Sequence, residues 1–286
     1  DFLNISGNNQ PGMREHILEG VQFSTSSSED FVLIEGALLP PKSVGIPHCE
    51  ILNKPEKESL QIVANGSVED FYKNCHRLGL DAEVDAILLE KALPKSLQYK
   101  EGVSINLCSR TAYSKGLIKV LEKIEHDPQR VMFEISEAKM DGHSRIPPEY
   151  NPKVLAHLKK MGISIALDDI DPFSWRELES LGIFAFIDAI KFDHHMAARF
   201  RKAVSTGEKR DLLDAEIAIH HIWAISRLCP HALLILEGFR KTDDFMLPML
   251  REAGIHVVQE SSYVDPMMLR PNLSRAGQPA GLELLH

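Results

Sequence analysis

Eight short apolar runs, separated by stretches of helical periodicity, limit what this chain can fold into. They are Phe31-Val-Leu-Ile34, His48-Cys-Glu-Ile-Leu52, Val103-Ser-Ile-Asn-Leu107, Val131-Met-Phe-Glu-Ile135, Ile163-Ser-Ile-Ala-Leu167, Ala189-Ile-Lys-Phe192, Ala232-Leu-Leu-Ile-Leu236 and Ile255-His-Val-Val-Gln259. Runs this short, apolar and flanked by turn formers read as buried strands. Helical spacing of apolar residues fills 67–78, 82–93, 111–126, 152–161, 212–229 and 242–253 between them. Strands alternating with helices imply a largely parallel sheet. Eight of them in 286 residues predict a closed α/β barrel of the (β/α)8, TIM-like kind. An open, doubly wound sheet is the alternative. The first two runs are joined only by the turn-rich Pro40-Pro-Lys-Ser-Val-Gly-Ile-Pro47. They are therefore expected to be hairpin-linked, with the first strand antiparallel. On this reading residues 1–20 are a linker or N-terminal extension, 21–270 the barrel and 271–286 a tail. The opening Asp1-Phe-Leu-Asn, with neither an initiator Met nor a leader pattern, reads as part of a longer protein.

Charge narrows the function. The formal net charge is −9 and the pI about 5.8, so bulk binding to nucleic-acid backbone is excluded. A small phosphate ligand is not, since metal ions can screen carboxylates locally. No apolar run is long enough to span a bilayer, so no membrane contact is expected of this segment. Cys49, Cys75, Cys108 and Cys229 form no Cys-x-x-Cys pair. They read as reduced thiols of a cytoplasmic protein, or of the cytoplasmic part of a membrane-anchored one.

Chemistry gathers where the runs end. Asp168-Asp169 closes a buried strand, and two adjacent carboxylates there are costly without a partner. A divalent cation is the natural one, because hard cations take oxygen ligands. The other runs repeat the pattern with Glu50, Asn106, Glu134, Lys191, Glu237 and Gln259. Singly, each has an ordinary structural reading as a cap, a turn former or a snorkelling side chain. Together they fall on seven consecutive strands, and in a parallel barrel the C-terminal strand ends converge on one face. A carboxylate-rich face holding two divalent ions suits phosphodiester hydrolysis, with a lysine to orient water or neutralise developing charge. His194-His195 and His220-His221 read as structural, since neighbours on a helix point about 100° apart. Residues 199–210 read as a surface loop or helix extension.

The ordered set Glu50-Ile-Leu, Ser104-Ile-Asn106-Leu, Phe133-Glu134-Ile-Ser-Glu137, Ala166-Leu-Asp168-Asp169, Ile190-Lys191-Phe-Asp193, Glu237-Gly238 and Val258-Gln259 resembles the EAL-domain family of bacterial cyclic di-GMP phosphodiesterases. The resemblance implies a barrel with its first strand antiparallel, and hydrolysis of cyclic di-GMP to linear pGpG with Mg²⁺ or Mn²⁺. It further implies that Glu50, Asn106, Glu134 and Asp168 hold one metal and that Asp168 and Asp169 serve a second. Lys191, Glu237 and Glu50 would then be the catalytic set, supported by Leu52, Lys54, Glu137 and Gln259. A homodimer and an N-terminal sensory or GGDEF-type domain are the partners it suggests. The chain departs from the family pattern at Glu50-Ile51-Leu52, where Ala is usual in the middle. It departs again at Asn53-Lys54-Pro55, and at Ile170-Asp-Pro-Phe-Ser-Trp-Arg176, which replaces a glycine-rich loop. A non-hydrolysing receptor or protein-interaction module is the alternative that these departures leave open.

Overall fold

Among the described residues, the eight apolar runs and one further short segment assemble into a nine-stranded sheet. Its strands are β1 (Phe23–Thr25), β2 (Phe31–Leu33), β3 (Cys49–Asn53), β4 (Val103–Cys108), β5 (Val131–Ser136), β6 (Ser164–Asp168), β7 (Ala189–Phe192), β8 (Leu233–Phe239) and β9 (Val257–Glu260). The structure is a computed structural model that describes residues 10–19, 21, 23–25, 31–33, 35, 37, 49–53, 64, 68–99, 102–136, 151–170, 179–180 and 182–260. From β3 to β9 every neighbour is parallel and in chain order. β1 lies antiparallel along β3, and β2 antiparallel along β9. Both outer edges are thus covered by one stretch of chain. Laid flat, nine strands would put β1 and β2 roughly 38 Å apart. The six residue steps from Thr25 to Phe31 reach at most about 21 Å. The sheet must therefore roll up, and the architecture is a TIM-like α/β barrel.

The predicted hairpin between the first two runs does not form. Phe31–Leu33 pairs with Val257–Gln259, and the outer neighbour of β3 is the three-residue Phe23-Ser-Thr25. A strand that short carries no readable periodicity. The helices are α1 (Gln10–Glu19), α2 (Val68–Leu78), α3 (Asp81–Ala92), α4 (Ser109–Ala112), α5 (Lys115–Leu121), α6 (Pro152–Met161), α7 (His194–Thr206), α8 (Lys209–Leu228) and α9 (Leu247–Ala253). The stretch 111–126 breaks at Ser114, whose hydroxyl accepts the Gly116 amide and starts a new helix. Residues 194–206 form a helix because Asp193 caps it, accepting the Met196 amide at 2.9 Å, and Gly207 ends it at φ 61°. Part of the stretch read as a linker or N-terminal extension is α1, which buries Ile17 and pairs Arg14 with Glu83 of α3 at 2.8 Å. No described helix is long and apolar enough to cross a membrane.

Two apolar cores follow from the alternation of strand side chains. The larger lies between sheet and helices. The smaller fills the barrel with Met132, Ala166, Ala189, Leu233, Ile235 and Val257. Outside it, Asp85 of α3 is buried and accepts the Cys108 amide at 3.0 Å, pinning the end of β4. Burial raises Asp85 to about 7 against the hydrogen bond it accepts from the Cys108 amide, and the Asp81 carboxylate adds a smaller upward push. Below about pH 4 the group is protonated whether folded or unfolded. As pH rises towards 7 only the unfolded chain releases the proton, so folding loses stability and the full penalty holds above 7. Asp85→Asn, which keeps the acceptor, should therefore stabilise the protein at pH 8 on the order of 3 kcal/mol and leave it unchanged near pH 4. Urea denaturation at the two pH values measures the difference.

Candidate active site

Five functional side chains sit two residues beyond a residue of the barrel's inner core. Met132 leads to Glu134, Ala166 to Asp168, Ala189 to Lys191, Ile235 to Glu237 and Val257 to Gln259. Residues two apart on a strand share a face, so the apolar plug carries a polar layer on its C-terminal side. Asn106 joins this layer, being in register with Glu134.

Lys191 is the centre of the layer. It is 1% exposed, yet its ammonium meets carboxylates from three strands. Nζ donates to Glu134 Oε2 at 2.9 Å, lies 2.7 Å from Glu237 Oε1, and stands 3.6 Å from Asp168 Oδ1. Glu134 is 2% exposed, so the Lys191–Glu134 pair is a buried ion pair. Removing one member of such a pair leaves an uncompensated charge in the interior.

Four carboxylates, Glu134, Asp168, Asp169 and Glu237, face one ammonium, leaving three formal negative charges in excess. Oxygens of Asp168, Asp169 and Glu237 lie within 4.8 Å of one another. Asp168 Oδ1 is buried and has no hydrogen-bond partner among the described residues. Asp169 is the described non-glycine residue with positive φ, at 54°, a conformation Asp tolerates better than most. Burial, then Asp168, then Asp193 push Asp169 up to about 6, against Lys191 and His195. An all-oxygen, electron-rich and partly unsatisfied cluster is what a hard divalent cation fits.

The other expected residues divide. Glu50 and Leu52 lie on β3, with Glu50 in register with Ser104, but their side chains fall outside the described residues. Lys54, Glu137 and the departing loop at 171–176 fall outside them altogether. Asp193 caps α7. The His194 and His195 rings do not point apart: at the start of α7 their centroids are 4.0 Å from each other. Burial, then His195, lower His194 below the usual imidazole value.

The sequence model of the EAL domain matches residues 43–226, more than half of the chain. The chain belongs to the EAL domain family. No curated protein sequence matches it. Solved structures show the same fold. The EAL enzyme Bd1971, in its form bound to cAMP and cyclic di-GMP, is 16% identical with a TM-score of 0.56 over 88% of this chain and 65% of that one. This chain therefore spans about two thirds of that protein's length. The FimX EAL domain from Pseudomonas aeruginosa bound to c-di-GMP is 16% identical, with a TM-score of 0.56 over 87% of this chain and 93% of that one. The PaMucR phosphodiesterase in complex with c-di-GMP is 16% identical, with a TM-score of 0.50 over 81% and 90%. At this identity the likeness establishes the fold.

Lys191→Met should destabilise this EAL domain by about 3–5 kcal/mol, the cost of stranding buried charge. Added Mn²⁺ should restore part of that loss, because a cation again faces the carboxylates. Thermal unfolding with and without the ion measures both effects.

Proposed function

We propose that this face hydrolyses one phosphodiester bond of cyclic di-GMP, giving linear pGpG, with Mg²⁺ or Mn²⁺. The carrying observation is Lys191, buried within 3.6 Å of three carboxylates from β5, β6 and β8 and beside the Asp168–Asp169–Glu237 cluster. Asp168, Asp169 and Glu237 would hold metal, with Glu134, Asn106 and Glu50 completing the ligands. Bound divalent ions would acidify a water and stabilise the attacking and leaving oxygens. The chain's own groups prepare that chemistry. Glu134 and Glu237 hold the Lys191 ammonium in place, so its remaining donor capacity is aimed at the centre of the layer. There it orients a water and offsets charge gathering on phosphoryl oxygens. Gln259, on β9 opposite the bulge that carries Glu237, would help hold the cluster. The apolar plug below closes the barrel to solvent from that direction.

The family supports cyclic di-GMP as the ligand, and the compared structures carry it. The acidic face supports hydrolysis: among the described residues its carboxylates outnumber the one ammonium, and that excess negative charge calls for cations. Incubation of the protein with cyclic di-GMP and Mn²⁺ should yield pGpG on chromatography. Asp168→Asn, which keeps the shape and removes one charge, should lower kcat at least 100-fold, and chelation by EDTA should abolish turnover. Calorimetric binding of cyclic di-GMP without any pGpG would replace the enzyme reading with a receptor.

A further inference from the structure

Glu237 stands at a break in the β8–β9 ladder. The strands pair at Ile235 with Val257 and at Leu236 with Val258, then resume at Phe239 with Glu260. Two residues, Glu237 and Gly238, therefore stand opposite the single Gln259. This is a bulge, a device that re-aims a side chain. Gly238 has φ +70°, and a Cβ there would lie 2.5 Å from His194 Cβ and 2.9 Å from its Cα. The bulge thus rests directly on the first residue of α7.

A bulge also releases backbone groups from the ladder. The Gly238 carbonyl is taken up by Arg201 Nη1 at 2.9 Å. The same nitrogen donates to Asp243 Oδ2 at 2.7 Å, and Asp243 also accepts the Arg240 amide at 2.9 Å. The Asp243 side chain is 2% exposed and that of Arg201 16%. Arg201 belongs to α7, which begins three residues after Lys191. One helix therefore leaves the strand that carries Lys191 and grips the bulge that carries Glu237.

We infer that Arg201 and Asp243 are positioning residues for Glu237: their partly buried ion pair holds the bulge against α7 and so sets the 2.7 Å contact between Glu237 and Lys191. Its catalytic consequence rests on the phosphodiesterase reading. The physical case does not. If the bulge relaxed into regular pairing, the one-residue slip would turn Phe239 from the outer core to the barrel's inner face, directly beyond Glu237. Glu237 would keep its face, but the peptide after it would swing and its carboxylate would no longer be held against Lys191. A buried ion pair is a poor source of stability compared with apolar packing, so its aim at the carbonyl beside a site glutamate is the more telling feature.

The test compares wild type, Arg201→Lys, and the double variant Arg201→Met/Asp243→Leu, which removes both charges together so that neither is stranded. A crystal structure of the double variant should show Glu237 out of hydrogen-bond reach of Lys191, and Arg201→Lys should keep the contact. With cyclic di-GMP and Mn²⁺, kcat of the double variant should fall about 100-fold, as expected for an ångström-scale misplacement, with KM within about threefold of wild type. Arg201→Lys should recover most of that loss. If the double variant folds with Glu237 still on Lys191, the inference is overturned; should it not fold, an Arg201→Lys variant with native contact but unrecovered kcat does the same. A wild type that forms no pGpG sinks the phosphodiesterase reading instead, and the structural comparison still decides the positioning role.

Discussion

The ammonium of Lys191 organises this molecule's functional end. A cation buried to 1% exposure cannot stand in a protein interior without counter-charges. Here the counter-charges come from β5, β6 and β8 on both sides of its own strand. The requirement is strict because each carboxylate is fixed to a separate strand. A shift of one strand by one residue would replace a carboxylate with an outward-facing apolar side chain. Strand register, which elsewhere is set by burial alone, is here also set by charge.

The barrel's inner packing makes that arrangement possible. Its plug is small, and two of its members are alanines, Ala166 and Ala189. They lie directly below Asp168 and Lys191 in the period-two order of β6 and β7. Small residues there leave room beneath a long lysine whose ammonium meets carboxylates on β5, β6 and β8. The lower layer is therefore apolar and tight, and the upper one charged and under-neutralised. The pressure on Asp169, raised to about 6 by burial and by Asp168, is the residue-level sign that the upper layer is short of positive charge.

Much of this was legible in the sequence, for a specific reason. Strand periodicity and the polar residue near each strand end are both local signals, so the sequence alone places Asn106, Glu134, Asp168-Asp169, Lys191, Glu237 and Gln259 on one face. What was illegible depends on long-range or single-residue geometry. β1 is three residues long and covers an edge that no local pattern announces. The stretch 111–126 has one periodicity but two helices, because a single serine hydroxyl starts the second. The start of helix α7 depends on the Asp193 cap, and its charged end at 199–206 reads equally as a surface loop or a helix extension. The bulge at Glu237-Gly238 looks like continuous strand. The partner of its freed carbonyl, Arg201, lies 37 residues away, beyond any spacing rule.

The buried Lys191 and the partly buried Arg201 also differ in kind, and the difference fits their tasks. Lys191 must meet carboxylates arriving from three directions, and an ammonium on a flexible stem presents rotatable donors that can follow them. Arg201 must hold one carbonyl and one carboxylate in a fixed relation, and a planar guanidinium nitrogen directs its two hydrogens along fixed lines in one plane. The Arg201 grip is therefore suited to fixing backbone, and the Lys191 contact to balancing charge that changes when ligands arrive. Between them lies Gly238, where the strand bends so that the side chain before it faces Lys191 and the carbonyl beside it faces Arg201. The site's charge balance and its backbone geometry are thus joined at one residue pair, Glu237-Gly238, and a change to either cation acts on the other through that pair.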